Sequence, residues 1–136
     1  MLLAAGTSQF GLAWVALCSA FALHVVDEAL TDFLSVYNPR VRAIRARLPW
    51  LPLPTFTFRV WLGGLIVAVL TLGALSPFAW APAEWIRPLA RVFGVVMLGN
   101  GLLHLGAAAY RRRAVPGVAS APLLVAGAIY LWAAIP

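Results

Sequence analysis

Runs of roughly 20 predominantly apolar residues, the length that spans a bilayer core, recur along this chain, and the short segments between them hold most of its arginine. Inside hydrocarbon no water satisfies backbone N–H and C=O groups, so a spanning segment of this length must be a helix. Composition agrees. Charged residues make up 10% of the 136 and apolar ones 63%, whereas a soluble domain carries about 25% charged residues. The expected fold class is therefore all-α: a polytopic membrane protein built as one four-transmembrane-helix bundle, with no room for a second domain.

Punctuation residues set the expected spans. The first runs from Gln9 to Val36 and is stopped by Tyr37-Asn38-Pro39, since proline removes a donor and restricts its predecessor. A basic linker with Arg40, Arg42, Arg45 and Arg47 follows and has the pattern of a short interfacial helix, with Val41, Ile44 and Leu48 on the lipid side. The Pro49–Pro54 stretch then reads as extended. The second span covers Phe56 to Leu75, with Arg59 in its first turn and Ser76-Pro77 after it. Trp80 and Trp85 in the next connection have the character of headgroup-level anchors. The third span runs from Pro88 to Tyr110 and ends at Arg111-Arg112-Arg113. After Pro116-Gly117 a fourth runs from Val118 to Pro136. Gly63-Gly64 is expected to permit close helix packing.

The net charge of +6 comes from ten arginines and no lysine. Nucleic acid is not the expected partner, because the aromatic residues lie in or beside the apolar spans and do not alternate with the basic ones. Membrane lipids are. Five arginines, counting Arg59 in the first turn of span two, belong to the connection between spans one and two, and three lie between spans three and four. The positive-inside rule places those loops in the cytoplasm and both termini outside. The single cysteine, Cys18, lies in an apolar run and permits no disulfide within the chain.

Three of the four acidic residues, Asp27, Glu28 and Asp32, stand inside the first span, just after His24. Each ionisable group at such a depth costs about 2.5–3.5 kcal/mol on insertion scales and faces the bundle interior. Ala13, Ala16, Ala20, His24, Asp27 and Thr31 recur every three or four residues and form one stripe, whose small members invite close packing. Glu28 lies one turn beyond His24. In the third span Asn100 and His104 share a face, and His104 is the only other histidine. At a helical rise of 1.5 Å per residue, Glu28 lies roughly 15 Å inside Asn38, Asn100 roughly 16 Å inside Arg111 and His104 roughly 10 Å inside it. If both helices run inward, the two polar sets meet at similar depth.

Two histidines with Asp27 and Glu28 make a first shell suited to a divalent transition metal such as zinc, iron or manganese. A set of two histidines and one carboxylate leaves positions open for water or substrate, as catalytic metal sites do. Asp27 and Glu28 are then also the candidate catalytic groups, acting on a lipid-soluble small molecule. Asn100, Thr31, Asp32 and Arg59 are candidates for substrate contact or for support of the ligands, although for Arg59 snorkelling to headgroups is the favoured expectation over reaching in to pair with Asp32 or Glu28. Two readings from other classes stay open. The same residues suit a small transporter or proton-coupled membrane factor, and they suit an accessory subunit in which the cluster only joins helices; a homo-oligomer is a candidate assembly in every reading. Two histidines are too few for a histidine-rich di-iron oxygenase.

The segment His24-Val25-Val26-Asp27-Glu28 resembles the signature of the HXXEE-domain family of small membrane proteins, with Asp27 where the signature has glutamate. The stretch from Leu23 to Asn38, Asn100-Gly101-Leu102-Leu103-His104 and the later Pro116-Gly117 are similar to that family too. The resemblance covers most of the chain. It implies a largely bacterial family of the inner or plasma membrane, without an established activity, and it implies that the polar positions form one site.

Overall fold

A stripe of large apolar residues, not of small ones, makes the first helix the centre of the fold. The structure, a computed structural model, describes residues 2–81 and 83–136, with side chains from residue 9 onward. Helix α1 spans Leu2–Leu30. Phe10, Trp14, Leu17, Phe21, His24 and Glu28 are buried along it at spacings of three and four, the repeat of a single helical face. Ala13 and Ala20 are buried beside them, but Ala16 is exposed. The two polar residues therefore continue a stripe that apolar packing already turns inward.

The break after α1 falls earlier than Pro39. Thr31 Oγ1 donates back to the Asp27 carbonyl at 2.6 Å, a local bond that competes with helix continuation. Asp32 is left-handed, with φ 54° and ψ 54°, a conformation that Asp tolerates better than most residues. Helix α2 then starts afresh and runs Phe33–Arg47, with Pro39 inside it. The expected continuous span to Val36 and the stop at Tyr37-Asn38-Pro39 are both replaced by this turn. Tyr37 and Asn38 instead clamp the proline-rich segment. Tyr37 donates to the Pro54 carbonyl at 3.1 Å. The Asn38 amide donates to the Phe56 carbonyl at 2.9 Å and accepts from the Phe56 N–H at 3.0 Å.

Helix α3 spans Phe58–Ala74 and is capped by Thr57, whose side chain accepts from the Val60 N–H. Ser76-Pro77 does not end the apolar rod. A short helix α4, Ser76–Trp80, follows directly, with proline in its first turn, where the missing N–H costs least. Trp80 closes it against α1. A Cβ on Gly11 would meet the Trp80 ring. Helix α5 spans Ile86–Arg111 and α6 spans Ala121–Ala134.

Contacts fix the directions. Trp14 and Phe21 of α1 both meet Phe93 of α5, at ring-centroid distances of 5.5 and 6.2 Å. Further along both helices, ten residues past Trp14 and eleven past Phe93, His24 meets His104 at 4.8 Å. Helices α1 and α5 are thus parallel. Helix α3 runs against α1, since Trp14 donates to the Leu72 carbonyl while Phe33 stacks on Trp61. Helix α6 also runs against α1, with Ser120 near Asp27 and Gly127 near Leu17.

Three stretches are long and apolar enough to cross a membrane: Gln9–Leu30, Phe58–Trp80 and Ile86–Arg111. Helix α6, with 14 residues, extends about 21 Å at the helical rise, less than the ~30 Å hydrocarbon core. Gly63 and Gly64 do not mediate packing. Nothing lies within 4 Å of a Cβ placed on either, and α3 has no buried residue. The close approach occurs at Gly101, where a Cβ would lie 2.9 Å from the Ala121 carbonyl oxygen.

Candidate metal centre

His24, Glu28 and His104 converge. His24 is fully buried, and Glu28 and His104 are 5% and 8% exposed. Glu28 Oε1 lies 3.1 Å from His104 Nε2 and 3.6 Å from His24 Nε2. One ligand atom from each residue falls within 4.8 Å of the other two. The one-turn spacing of α1 supplies His24 and Glu28 together, and the parallel register of α5 brings His104 to the same level.

The hydrogen bonds behind the two imidazoles settle their tautomers. His104 Nδ1 lies 2.6 Å from the Pro116 carbonyl oxygen. A carbonyl only accepts, so Nδ1 carries the proton. Ser120 Oγ lies 2.7 Å from Asp27 Oδ2, 3.3 Å from the Gly117 carbonyl and 2.8 Å from His24 Nδ1. The hydroxyl has one proton, and the short contact to the carboxylate takes it. His24 Nδ1–H therefore donates to Ser120 Oγ. When the rings are neutral, each then presents an Nε2 lone pair toward a carboxylate oxygen.

Three acceptors so arranged repel one another unless a cation lies among them. A proton shared by His104 and Glu28 suits their 3.1 Å separation. It leaves His24 Nε2 without a hydrogen-bond partner, as it is in the structure. A single divalent ion would take all three lone pairs. Its charge would also offset that of the buried carboxylate. Histidine ligands commonly donate the remote N–H to a carbonyl or carboxylate, which fixes ring orientation. Here the Pro116 carbonyl accepts from His104 directly, and the Asp27 carboxylate holds His24 through Ser120. The donor set, two imidazoles and one carboxylate, suits zinc, iron or manganese.

The other sequence-derived candidates take separate places. Asp27 is turned to Ser120, accepting from both its N–H at 2.9 Å and its hydroxyl. Its charge thereby sits at the start of α6, where the helix dipole favours an anion. Asn100 is half-buried on the wall of a cavity next to His104. Thr31 and Asp32 are exposed in the turn between α1 and α2, and Arg59 is exposed at the start of α3. Among the described residues Glu28 pairs with the two histidines and not with Arg59.

Two residues at the centre were not among the sequence candidates. Ser120 carries the link from Asp27 to His24. Its signal in the sequence is the serine just ahead of Pro122, the signature of a helix start. Gly117 has φ +78°, and a Cβ there would lie 2.8 Å from His104 Cε1 and 2.9 Å from His24 Cε1. Both rings rest on its bare Cα. The Pro116-Gly117 pair was legible as a turn, but its contact with both imidazoles was not.

No curated protein and no solved structure matches the chain. A family model described as a protein of unknown function with HXXEE motif matches residues 14–131. The match takes in every residue of the centre, from His24 to Ser120. The chain belongs to this HXXEE family.

Proposed function

We propose that this is a multi-pass integral membrane protein whose centre binds one divalent transition ion through His24, Glu28 and His104. The carrying observation is the convergence of three lone-pair donors, one of which, His24 Nε2, has no hydrogen-bond partner. Three protein ligands leave coordination positions open, the arrangement by which metal sites activate water or polarise a substrate. A half-open cavity of about 400 Å³ adjoins His104 and is walled mainly by apolar side chains. That neighbourhood supports chemistry on a lipid-soluble substrate, with the ion supplying the Lewis acid and Glu28 the charge that holds it.

In the same reading α6 is a fourth, short crossing. The bilayer accommodates it by local thinning. The arginine-rich loops face the cytoplasm, so the centre lies in the cytoplasmic half of the membrane of a bacterial cell.

A second reading, a proton-coupled factor, draws on the line of proton carriers Asp27, Ser120, His24, Glu28 and His104. The metal reading is preferred because a shared proton satisfies only one of the two histidines. Elemental analysis of protein purified without chelators or a metal-affinity tag tests it. The expected result is about one transition ion per chain, lost in His24→Ala and in His104→Ala. Metal-free protein with undiminished stability would overturn the metal reading in favour of the proton-coupled one.

A further inference from the structure

The cavity beside His104 has the shape and polarity of a site for an amphiphile. Helix α2 contributes Phe33, Val36, Tyr37 and Arg40 to it. These positions follow i, i+3, i+4 and i+7, so they are one helical face. Helix α5 contributes Asn100, Leu103, His104 and Ala107, with the same spacing. Two faces of this kind ordinarily pack against each other. Here they enclose about 400 Å³.

The two walls also share a direction. Phe33 lies beside His104, with ring centroids 5.9 Å apart. Tyr37, further along α2, meets Phe56, which precedes α3, while Phe33 meets Trp61 within α3. Helix α2 thus runs against α3, as α1 does, and so runs with α5. Arg40 is therefore at the end of the cleft nearer Arg111, roughly 10 Å along α2 from Phe33. Asn100 is at the opposite, deeper end. Arg40 is the one charged residue among those lining the cleft, and no acidic residue lines it. Among the described residues neither Arg40 nor Asn100 has a side-chain hydrogen bond or ion pair. Leu103 is 74% exposed, so the cleft opens along a side that would face lipid.

We propose that this cleft binds a free single-chain anionic amphiphile, a long-chain carboxylate or its phosphate analogue. The anionic head sits on Arg40, and the chain runs past Leu103 and His104 toward Asn100. The volume is at the low end for small-molecule sites, which suits one chain and not the two of a phospholipid. The placement puts a point on the chain, not the headgroup, next to the metal centre. The inference deepens the metal-centre reading and rests on it only for what stands beside the chain.

Equilibrium binding of radiolabelled palmitate to the purified chain in phosphatidylcholine nanodiscs tests this, with metal content measured on the same samples. Saturable binding is expected, and palmitate methyl ester should compete poorly. Arg40→Gln should weaken palmitate binding about tenfold, the scale of one lost charge-assisted contact. Ala107→Trp should abolish it by filling the cleft. Both variants should keep their metal. Equal binding by Arg40→Gln, equal competition by the methyl ester, or displacement by phosphatidylglycerol added to the nanodisc would each overturn the proposal. Palmitate binding by protein that proves metal-free would uphold the cleft and sink the metal reading. Full metal content without palmitate binding would do the reverse.

Discussion

Gly117 and Ser120 hold the centre together although neither offers it a ligand atom. Any side chain at Gly117 enters a left-handed conformation and strikes both imidazoles. Gly117→Ala should therefore lower stability by on the order of 1–2 kcal/mol from the backbone alone, and metal affinity should fall with it. Thermal unfolding with and without added ion measures both. An unchanged midpoint would mean that the rings do not rest on this residue. Ser120→Ala removes the acceptor of His24 Nδ1–H and leaves the Asp27 carboxylate without the hydroxyl. Its metal affinity should drop by about 10- to 100-fold, the usual effect of losing a group behind a ligand. Ser120→Thr, which keeps the hydroxyl, should restore most of it. Equal affinities for wild type and Ser120→Ala would show that the relay does not orient the ring. The convergence of His24, Glu28 and His104 was legible in the sequence, because costly groups at helical spacing must face one another, whereas Asp27, expected beside them, turns to Ser120 instead. Ser120 was not, since a serine near a helix start is ordinarily spent on its own helix.

Helix existence was legible from apolar length, and helix ends much less so. Pro39 and Pro77 both looked like stops, yet each lies inside or at the first turn of a helix. The actual break at residues 31–32 comes from Asp32 in a left-handed conformation and Thr31 bonded backward, neither of which leaves a mark in apolar periodicity. Small residues misled in a similar way. Gly63-Gly64 meets nothing, whereas Gly101 meets α6, because packing faces are chosen by the whole partner surface and not by size alone. The clamp of Asn38 on Phe56, with the Tyr37 bond to Pro54, ties residues 49–57 to α2. Asn38→Ala removes two hydrogen bonds, each worth about 1 kcal/mol net. Backbone hydrogen exchange in that segment should accelerate while the metal content stays constant. Unchanged exchange would mean that the aromatic stacking of Tyr37 on Phe56 suffices.

At the scale of the whole molecule, the arginine distribution is the basis of the proposed orientation, and the parallel register of α1 and α5 brings His24, Glu28 and His104 to one level. Single cysteines placed by Ala46→Cys, Ala114→Cys and Pro136→Cys, in a Cys18→Ala background, report the sides of the membrane. The first two should react only from the cytoplasm and the third only from outside. Cytoplasmic reactivity at position 136 would remove α6 as a crossing. The central claim is narrower than topology and is tested most directly at the ion. X-ray absorption at the edge of the bound metal in wild-type protein should give a shell with two imidazole nitrogens at roughly 2.0–2.1 Å and a carboxylate oxygen at a similar distance. His104→Ala should lose the ion or one imidazole from that shell. A stoichiometric ion without imidazole scattering, or no ion at all, would contradict the account.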